Sequence, residues 1–181
     1  MKRVTSSQTL SDSDRRILAR WAALCAERVL PLFEVEVPDD DRVRDAVARA
    51  RAYGCGDSKA ADEIRKRLVA VKAAGAATSP AGAAAARAAA QASAVAHMGA
   101  HALGAAAYAV KAVSLANPHE PGAAPDELRW QLDQLTLEQR AALRLLPPLG
   151  SDSAGPLGPG LLTSGILATV VRQIQAEVGV E

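Results

Sequence analysis

Along most of this chain, apolar residues recur at every third or fourth position, the spacing that gathers them on one face of an α-helix. Ser11 or Ser13 can cap a first helix, with Asp12 and Asp14 near its positive end. Its stripe is Ile17, Trp21, Leu24, Cys25 and Leu32, with Arg28 on the stripe and Glu27 beside it. It is expected to end near Leu30, because Pro31 disturbs a helix. A second helix is predicted from the acidic cluster Asp39, Asp40, Asp41 to Tyr53, with Gly54 just past its end. Val43, Ala46, Val47 and Ala50 face inward, and Arg44 and Arg51 share a flank. A third runs from near Ser58 to about Ala74. Ala61, Ile64, Leu68 and Val71 form its apolar face, and Lys59, Asp62, Glu63, Arg65, Lys66 and Arg67 a solvated one.

The segment from Pro80 to Asn117 is Ala-rich and reads as one long helix. Ser79 caps it, Pro80 suits its first turn, and Asn117-Pro118 stops it. Helical steps place Arg87, Ala90, Ala94, His97, His101, Gly104, Tyr108 and Lys111 on one face. The opposite side is apolar, through Val95, Met98, Leu103, Ala106, Val110 and Val113. So uncharged a helix is expected to be buried over most of its surface, and its polar row then needs partners. Pro125, Asp126 and Glu127 open a further helix containing Leu128, Trp130, Leu132 and Leu135. Thr136 to Gln139 resembles a capping box and predicts a short helix over Leu137–Leu146. Pro147 to Gly160 reads as a linker. The amphipathic stretch Leu161–Val178 follows, with Leu162, Ile166, Val170 and Ile174 on one side. It can pack on the body, on a second copy in a homodimer, or on a partner.

These elements predict an all-α fold: a single compact bundle of about six helices around one long central Ala-rich helix. The expected organisation is a body over residues 1–149 and an appended linker and helix over 150–181. Composition sharpens this. Of 181 residues 49% are hydrophobic but only 3% aromatic, so Ala, Leu and Val fill the core and helices approach closely. A net charge of +1 leaves no electrostatic footprint for nucleic acid. No apolar run reaches membrane-spanning length, since Val95–Val113 is broken by His97, His101 and Lys111. Met1 to Gln8 lacks the apolar core of a secretion signal, so a cytoplasmic protein is expected.

His97 and His101 form an HxxxH pair, a spacing that can hold a divalent metal. No Glu follows the first His, and Lys111 would repel a cation, so no metal or other cofactor is expected. Carboxylates such as Glu27 or Asp41 are the expected partners of the histidines. Glu27, Arg28, Asp41, Arg42, Arg44 and Arg51 are a charge-rich set on the first two helices. They read either as an internal ion-pair network or as a polar pocket gripping a small anion through Arg. Arg28, Asp41, Arg42, Arg44 and Lys111 are the candidate ligand-binding residues. If the cluster is catalytic, His97, His101, Tyr108 and Glu27 are the candidates, with Tyr108 able to act as a general acid. Ser93 and Ser114 lie off the histidine face, which is poor geometry for a Ser–His nucleophile. Trp21 and Trp130 read as core anchors, Cys25 as a small core hydrophobe, and Cys55 as a turn residue between glycines.

Several stretches resemble the Imm-5-like family of bacterial immunity proteins, predicted from polymorphic-toxin gene neighbourhoods. They are Leu18 to Leu30 with Trp21, Cys25, Glu27 and Arg28; Pro38 to Arg44; Ala50-Arg51-Ala52; His97 to Val113 with His101, Tyr108 and Lys111; and Arg129-Trp130-Gln131. Together they span roughly residues 15–147, and the tail from Gly150 looks like an addition. The resemblance implies an all-α protein that binds and neutralises a toxin. Two function classes therefore stand: a non-catalytic immunity protein with a protein partner, and a small helical enzyme or ligand-binding protein built on the Arg/His/Tyr cluster.

Overall fold

The computed structural model describes residues 6–180, so Met1 to Thr5, within the stretch read for a secretion signal, lie outside the described residues. Among the described residues the chain forms helices and turns without strands. α1 spans Asp12–Glu34, capped by the Ser11 hydroxyl, which accepts from the Asp14 amide at 3.0 Å. It runs through Pro31 instead of stopping before it. Proline has no N–H to give the carbonyl four residues back, so the helix continues past Pro31 with one backbone hydrogen bond fewer. α2 is Arg42–Cys55, α3 Ala60–Lys66 and α4 Val69–Ala73. α5 is Pro80–Ala94, α6 His101–Ala116, α7 Ala123–Asp133, α8 Leu137–Arg144 and α9 Gly165–Val178.

The all-α class holds, but the single long helix does not. It breaks over 95–100 into a hairpin, α5 and α6, whose two arms pack on each other and on α1. The cause is tertiary. The amides of Gly99 and Ala100 donate to the carbonyls of Thr9 and Gln8, at 3.0 and 3.1 Å, and not to the preceding helical turn. A Cβ on Gly99 would lie 2.6 Å from Leu10, so this residue also admits the N-terminal segment sterically. Along the hairpin, buried alanines face buried alanines: Ala84, Ala85, Ala88 and Ala89 on one arm, Ala102, Ala105, Ala106 and Ala109 on the other. Side chains this small let helix axes come close and fill the gap without voids. Gly104 extends the logic, since a Cβ there would fall on the Gln91 side-chain amide.

α1 lies against α2, α5, α6 and α8 and buries Leu18, Trp21, Ala22, Cys25, Val29 and Phe33. This face is wider than the expected stripe, and Arg28 sits at its edge. The predicted third helix is split at Arg67–Leu68 and rotated: Glu63 is buried and Ala61, Leu68 and Val71 are exposed, while Lys59, Asp62, Arg65, Lys66 and Arg67 lie in solvent as expected. Thr136 and Gln139 do form a capping box at α8.

The Pro/Gly stretch after α8 is no free linker. Leu157 is fully buried, and Gln8, itself inaccessible, clamps the loop. The Gln8 side-chain oxygen accepts from the Leu157 amide at 2.9 Å, and its nitrogen donates to the Ala154 carbonyl. Gly155, at φ +70°, passes so near Gln8 and Met98 that a side chain would collide. α9 then lays Leu167, Val170, Val171, Ile174 and Val178 on the body, chiefly on α6 and α8. Most of its apolar face is thus covered within the chain, while half-buried Ile166 stays at a cleft of about 560 Å³ between α7 and α9.

Candidate functional site

The residues singled out from sequence do not converge. They fall into three separate places on the scaffold.

The first is the hairpin turn. His101 opens α6, and its Nδ1 hydrogen-bonds the Gln91 side-chain oxygen at 2.8 Å. Burial, with smaller contributions from His97 and Arg67, pushes its pKa down to about 4, so the ring is neutral near pH 7. His97 is exposed in the turn, its ring centroid 6.4 Å from that of His101. Desolvation and the charges of Arg67 and Arg15 lower its pKa as well. Both rings line a cleft of about 340 Å³ against the Pro/Gly loop, with Gln91, Met98, Pro156 and Leu162. Among the described residues, no group of three or more metal-ligating side chains assembles here or elsewhere.

The second place is a corner at the other end of α6. Arg28 donates through Nε to Glu127 at 2.6 Å, and its guanidinium lies 4.0 Å over the Trp130 ring. Glu127 is almost wholly buried, and its other oxygen accepts from Gln131 at 3.2 Å. Gln131 is inaccessible, and its nitrogen also donates to the Ala106 carbonyl at 3.3 Å. The Gln131 carbonyl takes the Trp21 indole N–H at 2.9 Å. Trp21 is therefore the buried anchor expected, whereas Trp130 is only half-buried and serves as a platform for Arg28. Cys25 lies near Glu127. Burial first, then that carboxylate, raises its thiol well above the usual range, which leaves it a core hydrophobe.

The third is the outer face of α1 and α2. Glu27 pairs with Arg51, Arg44 with Glu34 and Arg42 with Asp40, all at 2.5–2.6 Å and largely in solvent. The Arg42 hydrogen bond lowers the Asp40 pKa and raises that of Arg42. Asp41 is exposed, precedes α2 and makes no side-chain cap.

The expected facing of the His/Tyr row toward Glu27, Arg28 and residues 39–44 is thus wrong. No hydrogen bond or ion pair among the described residues joins them. Arg28 shares a pocket wall with Val113 and Asn117, twelve or more residues along α6 from His101. At the helical rise that is about 18 Å. Tyr108 is buried in the hairpin, where burial raises its pKa and Arg87 opposes the rise. Lys111 is half-buried and enters no ion pair among the described residues. The break at 95–100 takes Arg87 and His97 off the row, and the part that stays on α6 is taken up inside the hairpin, His101 by the Gln91 side chain and Tyr108 by burial.

Sequence reasoning missed Glu127, Gln131 and Gln8, which are buried and central to these contacts. It also missed Glu36, whose carboxylate accepts from the amides of Thr78 and Ser79 at 2.8 and 3.1 Å and holds the start of α5. The one available signal was Glu127 and Gln131 standing four apart around Trp130.

A family model described as "Imm-5 like putative immunity protein" matches residues 8–138. The chain belongs to the Imm-5-like family. The matched region runs from Gln8 into the first turn of α8, and so contains the second and third places and the Gln91, His97 and His101 side of the first, but not the Pro/Gly loop that walls its cleft. No curated protein and no solved structure matches the chain. Among the described residues of this Imm-5-like chain, no helix is long and apolar enough to cross a membrane.

Proposed function

We propose that this chain is an immunity protein that binds a partner toxin and neutralises it without turnover, in the cytoplasm of the producing cell. The observation that carries the reading is membership of the Imm-5-like family over residues 8–138. The dispersal of the candidate groups supports it. His97, His101 and Tyr108 stay on the hairpin, Arg28 of α1 is held by Glu127, and Glu27, Arg42 and Arg44 are engaged with neighbouring charges on α1 and α2. A rigid helical scaffold that presents side chains from fixed helices suits recognition by shape and local charge. The family body ends near residue 149 in this reading, and α9 is an added brace that covers α6 and α8.

The test is co-expression with the toxin encoded next to its gene. The expected result is restored growth and a stable complex on size-exclusion chromatography. A toxin that neither binds the purified chain nor loses its effect in its presence refutes the proposal.

A further inference from the structure

The elbow formed by α3 and α4 presents a surface that its own amphipathic pattern argues against. Arg49 and Glu63 face each other at 3.1 Å with only 10% and 5% of their side chains exposed, and Asp45 takes the Arg49 Nε at 2.9 Å. A buried guanidinium needs a carboxylate, so this pair decides which side of α3 turns inward. With Glu63 inward, Ala70 and Ala73 become the buried residues of α4. Leu68 and Val71, three apart and so on one face, point to solvent at 55% and 50% exposure.

The same stretch exposes Lys59, Arg65, Lys66, Arg67 and Lys72, against the exposed carboxylates of Asp57 and Asp62. Among the described residues only Arg65 of the five forms an ion pair, with Asp62, and Arg67 bonds a backbone carbonyl. Branched aliphatic side chains held out of the core in a stretch with an excess of exposed cations are suited to an interface: an apolar centre that can be dried, and charges that steer.

We propose that the α3–α4 elbow is the toxin-facing surface, and that the partner presents an acidic rim around an apolar recess that receives Leu68 and Val71. This rests on the immunity reading above. Charge complementarity argues for an acidic protein surface. Nucleic acid would meet the cations but would gain nothing from Leu68 and Val71, and residues 59–72 hold no aromatic on which bases could stack. A bilayer surface calls for a longer apolar face than helices of seven and five residues provide.

The experiment is calorimetric titration of the full chain with the purified toxin encoded next to its gene. Two variants address the surface: Leu68→Asp with Val71→Asp, and Lys66→Glu with Arg67→Glu and Lys72→Glu. Leu137→Asp, an exposed site on α8, is the control. Each surface variant should weaken binding about 10- to 100-fold. The control should bind like wild type, and the surface variants should melt within a few degrees of it, since the replaced side chains are exposed and the charge reversals fall at the ends of α3 and α4. Wild-type affinity should also fall about tenfold as salt rises from about 50 to about 300 mM. Surface variants that bind as tightly as wild type overturn the elbow and leave the immunity reading standing. A wild-type chain that ignores the toxin overturns both. Tighter binding through these residues to a DNA duplex or to phosphatidylserine vesicles than to the toxin also overturns the elbow.

Discussion

Replacing the two tryptophans separately by alanine should give very different losses of stability. Trp21 is 1% exposed and donates its indole N–H to the Gln131 carbonyl at 2.9 Å. A buried large aromatic removes about 150–250 Å² from water. At about 25 cal/mol per Å² this is roughly 4–6 kcal/mol, of which alanine keeps a small part. Truncations of this kind cost about 3–5 kcal/mol. The Gln131 carbonyl, left without its donor in a dry site, adds about 1 kcal/mol. Trp130 is half-buried, and its chief contact is the Arg28 guanidinium 4.0 Å above the ring. A cation–π contact near the surface gives about 0.5–1 kcal/mol, so Trp130→Ala should cost about 1–2 kcal/mol in all. For a chain of this length each kcal/mol shifts the midpoint about 2–4 °C. Trp21→Ala should therefore melt about 10–20 °C below wild type, and Trp130→Ala about 2–8 °C below. The assay is thermal and urea unfolding followed by circular dichroism at the helical band, since fluorescence changes with the tryptophans themselves. Equal shifts for the two variants, or a larger one for Trp130→Ala, would refute the assignment of Trp21 as the anchor.

Glu36→Gln should lower stability by about 1 kcal/mol at neutral pH, as loss of a helix cap does. Hydrogen bonds from Ser79 and Thr78 lower the Glu36 pKa in the folded chain. Its contribution is therefore present above the ordinary glutamate range and lost as pH falls through the lowered folded value. Unfolding curves of variant and wild type should converge in acid, and a gap that persists there contradicts this. Gln8→Ala leaves the buried Leu157 amide without its partner, while the carbonyl of exposed Ala154 can turn to water, a loss of about 1–3 kcal/mol. Hydrogen exchange should quicken across residues 150–160, and an unchanged exchange map would deny the clamp. In a proton NMR titration His101 should stay neutral down to about pH 4. Because its folded pKa is depressed, its stability contribution is complete above the ordinary histidine value and falls away from there down to about 4. A His101 midpoint at the ordinary value would show that the Gln91-bonded ring is not buried as described.

Local chemistry along the chain was enough to determine the all-α class, a serine cap at Ser11 or Ser13, the Ser79 cap, the capping box of α8 and an apolar α9. Each depends on residues within one or two turns of one another, and tertiary contacts only reinforce them. The apolar character of Trp21 and Cys25 was legible for the same reason. Where the Ala-rich segment breaks was decided elsewhere: the carbonyls of Gln8 and Thr9 take the amides of Ala100 and Gly99, and nothing local to an alanine run signals a competitor about 90 positions away. The orientation of α3 depended likewise on Arg49, fourteen residues before Glu63, whose buried charge outweighs the burial of Leu68 and Val71. Hydrophobic periodicity ranks side chains by polarity alone. It assigns every Glu to solvent and has no means to know that a guanidinium waits inside. The Pro/Gly stretch read as a linker for the same reason, because its composition reports what the backbone can do and Gln8 decides what it does. The polar row on the hairpin was a correct reading of residues on a helix that the tertiary structure does not keep whole.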